Sequence, residues 1–317
     1  MRRRPRVGGH ASAATRRRRR APPRASRRSV ASVSRRGRSE TVLVRRVDAS
    51  GSQRGPDELA VEEPLEIRLD GNLVGTTMRT PGHDHELAAG LCHGDGLLAG
   101  AVVRRVRYCM PGGSCAPRLA GRGPGPPPPA DLAPDAARFN VVDVETGGAA
   151  PVPVPRVGTT TSSCGLCGST SIDELRARLA PLPPVEPFPL GVLVGVAERV
   201  RPDQELFAAT GAVHAAAAFD RAGEPLVVRE DIGRHNAVDK VVGRLLLDGR
   251  LPPGGDLGLY VSGRASFEIV QKAWAAGFAA VVAVSAPSAL AVEAARTAGL
   301  TLAGFVRGGR LNLYSPG

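Results

Sequence analysis

The sequence predicts an α/β protein in three parts: a disordered basic tail over residues 1–55, a small N-terminal α+β domain over residues 56–160, and a C-terminal domain with a mostly parallel sheet over residues 161–317. Three observations carry this. From His235 to Val306, helical patterns alternate with short β-rich runs, the βαβαβ order that requires a parallel sheet covered by helices. From Leu65 to Val74, apolar and polar residues alternate about a turn, as in an antiparallel hairpin. Residues 1–46 hold 17 Arg and one acid, Glu40, with no apolar period.

The formal net charge of +12 is therefore misleading. The first 46 residues contribute +16, which leaves −4 on the remainder, an ordinary globular surface. Lys240 and Lys272 are the only lysines, so 40 of the 42 basic residues are Arg. With abundant Ala, Gly and Pro, this points to GC-rich coding and not to selection for a polyanion. Aromatics at 3% are too few for a base-stacking platform. The tail suits at most non-specific contact with nucleic acid, or is an incidental extension. Collagen and coiled coil are excluded by composition.

A charge-free run from Ala273 to Val292 is long enough to span a bilayer, but Gly277, Ser285, Pro287 and Ser288 divide it into helix, strand and helix. No membrane span is expected. The basic N-terminus lacks a following apolar stretch and is no secretory signal. Five Cys, an odd number, fit a reducing compartment, so a cytoplasmic location is expected.

Taken in order, Leu65–Leu69 is a strand, Asp70-Gly71-Asn72 a turn, and Leu73-Val74 the return strand. Arg79-Thr80-Pro81-Gly82 is a loop, and Asp84–Cys92 a helix with Leu87 and Leu91 on one face. Residues 111–135 form a Pro/Gly-rich insertion. Phe139–Val144 is a strand. His235–Leu247 is a helix, with Val238, Val241, Val242, Leu245 and Leu246 on its apolar stripe. Strands at Leu257–Val261, Ala279–Val284 and Leu300–Val306 alternate with two further helices. The loops after these strands carry Arg264, Ser285 and Arg307/Arg310, and parallel strands place all three on one sheet edge.

The sharpest chemical feature is Ser163-Cys164-Gly165-Leu166-Cys167-Gly168. Two thiols three apart, flanked by glycines, suit sulfur exchange or persulfide formation. A capping box at Ser171–Glu174 would bring a helix N-terminus nearby and favour the thiolate. Structural zinc, with Cys109 and Cys115 as a second pair, is the rival reading. His214 follows Thr210-Gly211 and precedes an alanine run, read as a small-residue surface open to a ligand. His235 stands among Arg229, Glu230, Asp231, Arg234 and Asn236 at a helix start, which suits an anion. Arg307-Gly308-Gly309-Arg310 offers backbone N–H groups and two guanidinium forks to phosphate.

These segments resemble FdhD, the formate dehydrogenase accessory sulfurtransferase family. The resemblance rests on Arg79–Gly82 with Glu86–Gly90, the Cys164–Cys167 loop, Thr210-Gly211 with His214, and Arg229–Lys240 (REDIGRHNAVDK). It extends through Ser262–Lys272 (SGRASFEIVQK), Ser285–Leu290 and Gly304–Arg310. It implies a three-layer C-terminal domain similar to cytidine deaminase. It also implies that Cys164, as persulfide, with Cys167 as second relay or resolving thiol, passes sulfur from a cysteine desulfurase to a molybdenum cofactor, bis-molybdopterin guanine dinucleotide, before its insertion into formate dehydrogenase. The cofactor would be a substrate, with no permanently bound cofactor and no metal site. It would lie on Phe305, Val306, Arg307, Gly308, Gly309 and Arg310, with Arg264, His214 and His235 on the same edge. A homodimer is expected. His85 and Asp95 depart from the family's usual residues, and the tail and insertion have no counterpart in it.

Two rivals are weighed. Zinc deamination needs His-x-Glu followed by Pro-Cys-x-x-Cys. Ala215 and Ala216 follow His214 and the Cys pair precedes it, so deamination is rejected. A non-enzymatic cofactor-binding chaperone shares the Arg/Gly edge and would tolerate loss of both thiols.

Overall fold

The hairpin strands expected at Leu65 and Leu73 form β3 (Glu63–Leu69) and β4 (Asn72–Arg79), turning at Asp70-Gly71, where both residues take positive φ. This is a computed structural model, and it describes residues 37–109, 140–155, 159–160 and 179–315. The tail up to residue 36, the insertion at 111–135 and the Cys164–Cys167 loop lie outside the described residues.

One correction comes first. Residues 39–55, expected to be disordered, belong to a ribbon of β1 (Ser39–Asp48) and β2 (Gly51–Ala60), paired antiparallel from Ser39↔Ala60 to Asp48↔Gly51. Arginine content hid the β-rich run Thr41–Val44, and cross-strand contacts such as Arg46 with Asp57 at 3.0 Å knit the ribbon. Leu43 and Val47 remain exposed on it.

β3 and β4 join β5 (Arg105–Tyr108), β6 (Val141–Glu145) and β7 (Thr159–Thr160) in a five-stranded sheet of order β5-β6-β3-β4-β7. Its alternating pattern buries Leu65, Ile67 and Leu69 against α1 (Asp84–Gly94), which contributes Leu87, Ala88 and Cys92.

The second sheet has the order β13-β12-β11-β10-β8-β9. Its strands are β8 (His214–Phe219), β9 (Pro225–Asp231), β10 (Gly258–Val261), β11 (Ala280–Ala283), β12 (Thr301–Arg307) and β13 (Arg310–Ser315). β10–β11 and β11–β12 are parallel, as the βαβαβ pattern requires. The other three pairings are antiparallel, so the sheet is mixed and not mostly parallel. The error came from β8, β9 and β13. The alanine run Ala215–Ala218, expected to be an open surface, is a buried internal strand.

One face of this sheet is covered by α4 (Arg234–Leu247), α5 (Phe267–Ala276) and α6 (Ala289–Ala298). The opposite face packs on α2 (Leu190–Val200) through Leu193, Val196 and Val200. A short α3 (Glu205–Thr210) ends at Gly211, whose φ of 65° suits glycine. Pro287, expected in a first helical turn, precedes the N-cap Ser288 of α6.

α1 and α4 cross at Gly90 and Gly243. A Cβ on Gly90 would stand 1.9 Å from Asp239 O, and one on Gly243 1.8 Å from Glu86 O. Only glycine permits this backbone contact between the helix of the small sheet and that of the large one. Among the described residues, no helix is long and apolar enough to cross a membrane.

Candidate functional site

The parallel strands end in loops that are laced together. Ser285 N donates to Gly263 O at 3.3 Å, Ser288 N to Ala265 O at 3.1 Å, and Phe305 N to Ser285 O at 3.2 Å. Ala265 and Pro287 form an isolated parallel bridge. Phe305 takes a φ of 54°, rare for an aromatic residue, at a bulge in β12 that leaves its ring partly exposed.

Two helices start on this edge. Neither Gly233 at α4 nor Ser266 at α5 caps its own helix with a side chain. Ser266 Oγ instead donates to Glu268 Oε2 at 2.9 Å and lies 3.2 Å from His235 Nε2. His235 Nε2 is also 3.2 Å from Glu268 Oε2. That hydrogen bond, opposed by burial, holds the Glu268 carboxyl at about 2. His214 lies alongside, its Nδ1 3.4 Å from where a Cβ on Gly263 would be. Burial, then Arg234 and His235, push the His214 imidazole below its ordinary range, so it stays neutral more readily. Burial and the neighbouring Arg264 lower Arg234, whose buried Nε has no hydrogen-bond partner among the described residues. Cationic side chains and two helix N-termini thus converge on one rim, with the Glu268 carboxylate among them and that of Asp231 close enough to act on His214. Such a rim favours an anion.

Of the sequence-predicted residues, His214, His235, Arg264 and Phe305 are on or beside this rim. Val306 turns its side chain into the core. Arg307 and Arg310 pair across the β12–β13 turn, with Gly308 and Gly309 at positive φ, and all four are exposed at the hairpin tip. Cys164 and Cys167 lie outside the described residues. Arg234 and Glu268 were missed as site residues. The signals were available: Arg234 adjoins His235, and Ser266-x-Glu268 opens a helix.

The remaining polar residues of Arg229–Lys240 do structural work. Arg229 Nη2 reaches Glu86 Oε1 at 2.9 Å. Glu230 accepts from Leu206 N at 2.9 Å and Phe207 N at 2.8 Å, capping α3 just before the Gly211–His214 stretch. Asp231 Oδ2 accepts from Thr80 N at 3.1 Å, and Ile232 N donates to Thr80 Oγ1 at 3.1 Å. Arg79 makes a bidentate pair with Asp84 at 3.1 and 3.0 Å. The motif therefore clasps the Arg79–Gly82 loop from behind while it presents Arg234 and His235 in front.

The two departures also find places. The His85 ring lies 4.7 Å from that of Tyr108, and Asp95 Oδ1 is 3.4 Å from Lys272 Nζ. Cys92 is buried, which pushes its thiol well up and leaves it inert. Cys109, weighed as half of a zinc pair, is disulfide-bonded. Among the described residues, no group of three His, Cys, Asp or Glu could hold a metal ion.

Comparison with known proteins agrees with this architecture. A sulfur carrier protein FdhD from Corynebacterium efficiens is 45% identical over 268 residues, covering 82% of this chain and 90% of the relative. One of the same name from Streptomyces coelicolor is 45% identical over 269 residues, covering 82% and 88%. A crystal structure described as a formate dehydrogenase accessory protein, from Desulfotalea psychrophila, aligns with a TM-score of 0.64 at 24% identity, over 88% of this chain and 97% of that one. That likeness speaks for the fold alone. The FdhD/NarQ family profile matches residues 60–317, so the chain belongs to the FdhD/NarQ family.

Proposed function

We propose that this protein is a sulfur carrier for formate dehydrogenase maturation, acting as a sulfurtransferase through Cys164. The Cys164 thiolate takes the sulfane sulfur of a cysteine desulfurase persulfide. The donor cysteine leaves as thiolate and Cys164 becomes the persulfide. Attack by Cys167 on the inner sulfur then releases hydrosulfide and closes a Cys164–Cys167 disulfide. The dithiol thereby supplies the two electrons that turn sulfane sulfur into sulfide. The receiving substrate is bis-molybdopterin guanine dinucleotide molybdenum cofactor, its anionic nucleotide end on the rim of His214, Arg234, His235 and Arg264.

One observation carries the reading. β7 pairs with β4 through Thr77↔Thr160, and Thr77 Oγ1 donates to Asn236 Oδ1, 3.2 Å away on the first turn of α4. Cys164 follows Thr160 by four residues, which span at most about 14 Å. Membership of the FdhD/NarQ family, whose relatives carry the name sulfur carrier protein FdhD, supports the same reading.

The test is mass spectrometry after incubation with a cysteine desulfurase and cysteine. The protein should gain one sulfur, lost on reduction, and Cys164→Ala should abolish both this gain and formate dehydrogenase maturation. Normal maturation by Cys164→Ala would leave the cofactor-binding chaperone in its place.

A further inference from the structure

β1 and β2 make a two-stranded ribbon, and among the described residues no third strand lies beside either. From Arg45 to Asp48 every residue of β1 is exposed, and Leu43 is 83% exposed. A two-stranded ribbon standing alone in water is marginal. β1 also lies outside the FdhD/NarQ match, which begins at residue 60, so its use is not inherited from that match.

The two outer edges differ. Val61 N donates to Arg38 O at 3.0 Å across the base of the ribbon. Backbone groups alternate in direction along a strand, so the even-numbered residues of β1 turn their N–H and C=O to β2. Ser39, Thr41, Leu43, Arg45 and Val47 turn theirs outward. Pro56, opposite Leu43, fits this phase, because its missing N–H falls on the outer side of β2. The β2 edge is therefore interrupted, whereas the β1 edge offers an unbroken row of donors and acceptors.

We propose that β1 is a self-association edge, pairing antiparallel with β1 of a second copy of this chain about a two-fold axis at Leu43. Charge selects the register. With Leu43 on the axis, Val42 lies opposite Val44 of the second copy, Glu40 opposite Arg46, and Arg38 opposite Asp48, each pair occurring twice. An axis at Val44 would set Glu40 against Asp48, one at Arg45 would set that side chain against its own copy, and one at Val42 would set Arg38 against Arg46. Arg46 already reaches Asp57 at 3.0 Å but stays 59% exposed, and Arg38 lies 3.6 Å from Glu230 and is 37% exposed. A guanidinium has donors enough for a second carboxylate. The joined ribbons form a four-stranded sheet whose outer edges both carry Pro56, so growth stops at the dimer. The inference does not depend on the sulfur-carrier reading.

Sedimentation of the full-length protein should show a dimer at micromolar concentration. Leu43→Pro deletes an outward N–H and leaves the β1–β2 ladder intact. It should raise the dissociation constant about tenfold or more, through one hydrogen bond lost from each copy. Leu43→Lys keeps the backbone, sets two ammonium groups at the axis and should act likewise, which decides the matter if the proline disturbs the ribbon. The pairing places the two axial Cα atoms about 5.5 Å apart, within disulfide range. Leu43→Cys should therefore give a covalent dimer with oxidised glutathione as the electron acceptor, above any background in the parent. Val47→Cys, as exposed but about 27 Å from its own copy, should not. A monomeric parent overturns the proposal, and is the result expected if the ribbon serves some other partner. So does a dimer unmoved by both Leu43→Pro and Leu43→Lys, or equal cross-linking at the two cysteine positions.

Discussion

Lys240 Nζ lies 2.7 Å from Asp231 Oδ2, and both side chains are sealed from water, at 1% and 0% exposure. Lys240 also donates to Thr80 O at 2.9 Å, so one ammonium ties α4 to the loop before α1. Removing it strands a buried carboxylate. Lys240→Met should cost about 3–5 kcal/mol in urea unfolding. Combining it with Asp231→Asn should cost less than the two single losses added.

The rim makes a prediction about nucleotides. Arg234→Ala should weaken GDP binding about ten- to a hundredfold, the worth of a charge-assisted contact. Arg264→Ala and Arg310→Ala should each weaken it less, since both side chains are exposed and water screens their charge. Sulfur gain at Cys164 should persist in all three. Calorimetric titration with GDP reads the difference, and unaltered affinity in Arg234→Ala and Arg264→Ala would remove the rim from the site.

The crossing of α1 and α4 leaves no room for a methyl group. Gly90→Ala or Gly243→Ala would drive a Cβ into a carbonyl of the facing helix. Each should cost about 1–3 kcal/mol or more. Gly211→Ala instead meets open space, and its penalty comes from the positive φ alone, about 1 kcal/mol. Thermal melts of the three variants check the order.

Acid should weaken the fold partly through Glu86. Burial raises this carboxyl, but the Arg229 guanidinium and His83 overcome it and hold the group at about 2, against an ordinary 4.5. A depressed carboxyl contributes stability above its unfolded value and loses it as pH falls from about 4.5 to 2. Glu86→Gln should therefore be less stable than the parent at pH 7, by at most about 3 kcal/mol, and the gap should close by pH 2. Parallel urea titrations across that window measure it.

The ordered ribbon revises the consequence of trimming the N-terminus. Deleting residues 1–36 should leave dehydrogenase maturation unchanged. Deleting residues 1–46 removes most of β1 and the contact of Arg38 with Glu230 at 3.6 Å, and should lower the melting temperature by several degrees, about 1 kcal/mol or more. Any nucleic-acid binding should vanish with the shorter deletion.

How much of this was legible in the sequence depended on which force shaped each element. α4, β10, β11 and β12 follow from apolar periodicity, because each buries one stripe or a whole short run against a neighbour. β8 did not, because an alanine run has no strand signature, and burial on both faces of the sheet selected small side chains. β1 and β2 were hidden by arginines that a ribbon open to water tolerates. His214, His235 and Arg264 could be named from residue type and loop position. The structural service of Asp231, Asn236 and Lys240 could not, since their partners are on β4 and the loop after it, about 150 residues away in the chain.

The hydrogen bonds from Ser285 to Gly263, from Ser288 to Ala265 and from Phe305 to Ser285 have a further consequence. Three loops that could each wander are stitched into one rim before any ligand arrives. On the proposed reading, binding there would lose little conformational entropy, because the loops are already joined. A preorganised cradle can hold cargo with fewer contacts, and its dissociation rate becomes sensitive to any one stitch. Loosening the Ser285 turn, far from any charge, should shorten the time the cargo stays.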